Sequence, residues 1–334
     1  MIVPLPPHIH LAGGGVNYNL LLFLQCLTVC SVDLFVLISG YYSSLSQRRT
    51  VGKPLDLLVQ SVFFVIIAYI AKILTSDAEF SINHFVELFI PSNYFVILFI
   101  TLYLVSPYIN VALEKLNNRS PENIKRFMIV MLLLFSIFPM FTELIEHIVG
   151  RQITGFNSIG RLGSQSGYNI VNFVLLYCAG AAIRYLKLDI KISKRIALFA
   201  SIGCVVAIYL MYQLCINPSM GHIAWHYDNL FVILLSVFLF IIFKQFQLKN
   251  RIINTLAKAA FVCFLIHGKI LPYLRIGEFV DKSAYILLLH IVISLICIYV
   301  FSWLVWRVYS WATGRVVNYL DKVEIPLIFK DQTD

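Results

Sequence analysis

The chain has 334 residues, 60% of them hydrophobic and 13% charged, with a formal net charge of +9. Soluble domains average roughly 45–50% apolar residues, and no single core in a chain this long hides so much apolar surface from water. That composition excludes an ordinary soluble enzyme. The cations lie between apolar runs and are not gathered on one element, which excludes a nucleic-acid-binding face.

In chain order, the opening stretch MIVPLPPHIHLAGGGV holds three prolines and a glycine run and makes a poor helix. It lacks the basic start and long apolar centre of a cleavable signal peptide. A bilayer-spanning helix needs roughly 20 mainly apolar residues. Nine runs meet that need, near 19–41, 56–75, 93–112, 126–145, 168–185, 196–215, 227–243, 258–274 and 283–306. None alternates as the strands of a membrane barrel do. The expected fold class is therefore all-α, a polytopic transmembrane helical bundle of about nine spans. It forms a single membrane-embedded domain over 1–334, with 307–334 as a cytoplasmic tail. The seven cysteines lie inside or at the edges of the apolar runs and read as small hydrophobes, with no disulfide framework and no metal site.

Lys and Arg between the runs set the orientation. One alternate set of segments (42–55, 113–126, 184–195, 244–258 and 307–334) holds 20 of the 26 cations, and the opposite set holds 5. The C-terminus is thus expected in the cytoplasm and residues 1–18 on the far side.

Four segments together carry a resemblance. SVDLFVLISGYYSS (31–44) ends a Phe-containing apolar run in Ser-Gly-Tyr; YFVILFITLYLVSPYIN (94–110) ends in Ser-Pro-x-x-Asn. NFVLLYCAGAAIR (172–184) holds Tyr-x-x-Gly-Ala-x-x-Arg, and FVCFLIHGK (261–269) a late Leu-Ile-His. Their order over some 240 residues resembles the acyltransferase 3 family, membrane enzymes that O-acylate bacterial surface polysaccharides. The resemblance implies ten helices with both ends cytoplasmic, so a first helix is expected to precede Met1. It implies an Arg–His catalytic pair there. His8 and His10, just before Gly13-Gly14-Gly15, stand where the family His is expected, and the Arg has no counterpart. It also implies an acyl-CoA donor, with no permanently bound cofactor, a glycan acceptor and a bacterial inner membrane.

The residues themselves admit two readings each. An ionisable group at membrane depth costs on the order of 2.5–3.5 kcal/mol, so it needs a reason. Asp33 is either the orienting partner of a catalytic His or a carboxylate tied to backbone or an Arg for packing. His267 is a general base or substrate contact, or a neutral ring bonded between helices. Arg48, Arg49 and Lys53 read as a solvated positive-inside loop that can also hold the phosphates of acyl-CoA. In the Gly- and Ser-rich loop 150–169, Arg151, Arg161 and Tyr168 are candidate contacts for an acceptor sugar, or loop and interfacial residues only. A transporter or flippase for lipid-linked glycan, lined by Asp33, Lys72, His267 and His290, and an inactive relative both stay open as alternatives.

Overall fold

The computed structural model describes residues 15–46, 48–74, 80–90, 93–151, 167–214, 223–246 and 250–326, without the side chains of Ala71, Lys72, His84, His147 and Ile252. His8, His10 and Arg161 lie outside the described residues, as does the Lys72 side chain. The described residues are helical and contain no strand. Among the described residues, seven helices are long and apolar enough to cross a membrane: Val16–Ser43, Gly52–Ile70, Tyr94–Arg119, Pro121–Glu146, Lys194–Leu214, Ile223–Gln245 and Ala284–Leu320. Two shorter apolar helices, Ile170–Tyr185 and Ala260–Leu274, coincide with the other two expected runs. The chain is a polytopic all-α membrane protein.

By its internal contacts the chain divides into two units. The first comprises residues 1–47, 108–249 and 280–284. In it, α1 (Val16–Thr28) and α2 (Ser31–Ser43) share one span broken at Val29-Cys30. Next come the C-terminal half of α5 (Tyr94–Arg119), then α6 (Pro121–Leu132), a π-turn (Leu133–Ile137) and α7 (Phe138–Val149). The unit closes with α8 (Ile170–Tyr185), the short α9 (Leu188–Lys191), α10 (Lys194–Leu214) and α11 (Leu230–Gln245).

Helix starts follow ordinary capping chemistry. The Asn169 side chain accepts from Asn172 N at 2.8 Å to open α8, and Asn229 from Phe231 N at 2.9 Å to open α11. Ser120 with Pro121 opens α6. The core gathers Leu37 and Tyr41 of α2, Ile183 of α8, Ala197 of α10 and Phe240 of α11. At the α2–α8 crossing, Gly40 lies against the Tyr177 backbone and Gly180 against that of Leu37, an approach that any larger side chain would block.

The second unit comprises residues 48–107, 250–279 and 285–334. It holds α3 (Gly52–Leu74), α4 (Ile82–Glu87), the first half of α5, α12 (Arg251–Ala257), α13 (Ala260–Ile270) and nearly all of α14 (Ala284–Leu320). Phe64, Val262, Ile266 and Tyr309 form its core cluster. Helix α14 continues without a break through Leu320, and the segment after it docks on the start of α3. Val51 N donates to Val323 O and Ile325 N to Arg49 O, both at 2.9 Å.

Candidate active site

The quoted segments become structure in three ways. First, α2 and α8 are the 31–44 and 172–184 segments, joined by the glycine crossing. At their C-terminal ends Arg184 Nη1 donates to Tyr41 O at 2.9 Å, and the guanidinium stands 5.5 Å from the Tyr41 ring centre. The Tyr41 hydroxyl donates to Asp189 Oδ2 at 2.7 Å. Second, Asn110 closes the 94–110 segment onto the same pair of helices. Its Nδ2 donates to Ser43 O and Ser46 O at 2.8 Å each, and its Oδ1 accepts from the Tyr177 hydroxyl at 2.9 Å. These are positioning contacts: they fix where α2 ends.

Third, in the second unit, Pro107 has no N–H to give Tyr103 O, its partner one turn back in α5. The freed carbonyl accepts instead from Ser106 Oγ at 2.8 Å and Arg49 Nε at 3.0 Å. Arg49 Nη2 also reaches Ser106 Oγ at 2.6 Å, and Nη1 reaches Arg48 O at 2.8 Å. This guanidinium is buried and engaged with its own chain. Arg48 pairs with Glu324 at 2.6 Å on the surface, and Lys53 Nζ lies 5.4 Å from the Tyr103 ring centre.

Asp33 is different. It is completely buried in the first turn of α2, yet neither carboxylate oxygen has a hydrogen-bond partner among the described residues. The tie to backbone or an Arg that a packing role would need is absent from them. Asp228, itself buried, directly precedes the cap of α11. Two residues before Asp228, His226 Nδ1 stands 2.8 Å from Glu143 Oε1, both side chains nearly buried. Glu146, one turn on from Glu143 in α7, is fully buried as well. The π-turn at Leu133–Ile137 adds a residue to the helical repeat, which rotates the face that α7 presents and sets Glu143 and Glu146 inward.

One end of the first unit thus holds four buried carboxylates and an imidazole. Tyr168 belongs to it: its ring meets that of Tyr227 edge to face at 4.6 Å. Arg151 is exposed just past the left-handed Gly150 that ends α7. In the second unit, His267 points Nδ1 at its own helix, 2.8 Å from Phe264 O and 3.0 Å from Cys263 O. Carbonyls only accept, so Nδ1 carries the proton and Nε2 is the basic nitrogen of the neutral ring. His290 stacks on Phe279 with centroids 3.7 Å apart.

A family model described as an acyltransferase domain, acyltransferase 3, matches residues 7–307. The chain belongs to this acyltransferase family. No curated protein and no solved structure gives a significant match. The four segments that carried the resemblance all fall inside the matched region, and three of them build the acyltransferase's α2–α8–α5 contact.

Glu143, Glu146, His226, Asp228 and Asn172 were not among the residues read from the sequence. They sit at the ends of apolar runs, where polar residues ordinarily mark loops. The signal was present: two carboxylates three apart closing one run, and His-x-Asp opening another.

Proposed function

We propose that this acyltransferase moves an acyl group, acetyl in the simplest case, from an acyl-CoA donor to a hydroxyl of a cell-surface or lipid-linked glycan. The observation that carries the reading is Asp33, a buried carboxylate with no bond to any described residue, on the helix that ends in the family's Ser-Gly-Tyr. A fully buried carboxylate left without a structural partner is costly, and active sites are where such costs are kept.

The chemistry is one acyl transfer. A base takes the proton of the acceptor hydroxyl as its oxygen attacks the thioester carbonyl, and the tetrahedral oxyanion then collapses and expels the CoA thiolate, which takes up a proton. The family resemblance gives the base as His8 or His10. Asp33 would hold that imidazole in one tautomer and stabilise its charged form. His267, with its Nδ1 proton turned into its own helix, is the second imidazole proposed to act as a base on this reading. On the donor side, Arg48 and Lys53 are the surface cations suited to the CoA phosphates, whereas the donors of Arg49 are engaged within the chain.

The Lys and Arg distribution supports an inner-membrane protein whose C-terminus, Arg48 and Lys53 lie in the cytoplasm with acyl-CoA. The test is transfer of radiolabelled acetyl from acetyl-CoA to glycan in membranes containing the chain, against a His8→Ala/His10→Ala double variant. Label that needs acetyl-CoA and those histidines supports the reading. Glycan movement without an acyl donor, or label indifferent to both histidines, would remove it.

A further inference from the structure

The acyl acceptor needs a place to bind, and the acidic end of the first unit has one unexplained property: its unmet hydrogen bonds. Asp33, 0% exposed, leaves two acceptor oxygens without a partner among the described residues. Asn172, 2% exposed at the start of α8, leaves Oδ1 unmet, although its Nδ2 donates to Gly167 O at 3.2 Å. These two residues belong to one place. The C-terminal ends of α2 and α8 lie together, so Asp33 and Asn172, each in the first turn of its helix, share the opposite end of the pair, and there Gly167, at φ +84°, packs on the backbone N of Asp228 so tightly that a Cβ would come within 2.6 Å.

Beside them, and among the described residues, the His226 ring makes one side-chain hydrogen bond, through Nδ1 to Glu143. A carboxylate accepts, so Nδ1 holds a proton, and in the neutral ring Nε2 offers a lone pair. Two aromatic pairs flank this segment: Tyr168 with Tyr227, and Tyr212 stacked on Trp225 at 4.7 Å and 11°.

We propose that this end of the first unit binds a polyhydroxylated ligand, a sugar of the acceptor, with His226 Nε2 and the Asp33 and Asn172 oxygens accepting its hydroxyls. Each alternative ligand fails on one of these observations. An anion is repelled by the buried carboxylates, and an apolar ligand leaves the unmet acceptors unmet. A metal ion needs a cluster of ligating groups, and no group of three or more His, Cys, Asp or Glu has that geometry among the described residues. Hydroxyls supply the donors that oxygens and imidazole lack, and the flat aromatic rings suit the C–H faces of a pyranose. The proposal rests on the acyltransferase reading for what the bound sugar is used for.

Trp225, next to His226 in the chain, is a built-in probe. The purified full chain in detergent is titrated with methyl glucoside, methyl galactoside and methyl mannoside while indole emission is followed, with Trp225→Phe removing the reporter from the four tryptophans. At least one glycoside should shift emission saturably, and the shift should vanish in Trp225→Phe. In His226→Phe, read with Trp225 intact, affinity should fall about tenfold, as for loss of one hydrogen bond to a strong acceptor. If that variant does not accumulate, Glu143→Gln should show a smaller loss in the same direction. No shift with any of the three glycosides, or unchanged affinity in the variant, overturns the site. Acyl transfer is measured in the same preparation. Sugar binding without transfer keeps the site and removes the enzymatic reading; transfer without a sugar response at Trp225 does the reverse.

Discussion

Gly40 of α2 lies against the carbonyl oxygen of Tyr177 of α8, and Gly180 of α8 lies in the same way against the carbonyl of Leu37. The crossing is reciprocal, so each helix supplies the glycine that the other's backbone requires. It fixes the register of the two segments that carry Asp33, Tyr41, Asn172 and Arg184.

Alanine at this crossing should therefore be destabilising. Gly40→Ala and Gly180→Ala should each cost about 1–3 kcal/mol, the usual range for overpacking, and lower the melting temperature in detergent. Gly203 of α10 is the control, because a Cβ there meets nothing within 4 Å. Gly203→Ala should leave stability unchanged or raise it by about 0.5–1 kcal/mol through helix propensity. Equal losses at all three positions would show that the crossing is not special.

Asp33 should separate stability from activity. Asp33→Asn removes a buried carboxyl group with no bond among the described residues and keeps the shape. The melting temperature should hold or rise, since a buried carboxyl group without hydrogen-bond partners opposes folding, while acyl transfer is lost. A variant that melts markedly lower would show the carboxylate to be a structural anchor.

Arg49 should behave in the opposite way. Its guanidinium replaces the helical partner that Pro107 denies to Tyr103 O and binds Ser106 twice. Lysine cannot supply that fork, so Arg49→Lys should destabilise the chain by about 2–4 kcal/mol, and Ser106→Ala by about 1–3 kcal/mol. Donor KM in the surviving protein should change little, whereas Arg48→Ala and Lys53→Ala should raise it. A donor KM that rises in Arg49→Lys with no loss of stability would assign the guanidinium to the phosphates.

The spans were legible because lipid imposes a length and a composition that no tertiary contact can override. Among the described residues all nine apolar runs are helical, and they depart from expectation in length, α8 having 16 residues and α13 having 11 before its 3-10 turns, and in the break of the first run. The break at Val29-Cys30 was not legible, because neither residue is a helix breaker. Asp33 stood out as a lone charge in an apolar run. Glu143 and His226 did not, since their meaning lies in a contact across 83 residues that local pattern does not carry. Arg49 showed the converse: its sequence context reads as a solvated loop, and only the unpaired carbonyl left by Pro107 accounts for its burial.

The most direct measurement of the central claim is acyl transfer from labelled acetyl-CoA to a glycan acceptor by wild-type chain and Asp33→Asn present at equal abundance in membranes. Transfer by the wild type, lost in a variant that melts no lower, is the expected result. Equal transfer by both, or none from folded wild-type protein, would contradict the assignment of the chemistry to the buried end of the first unit.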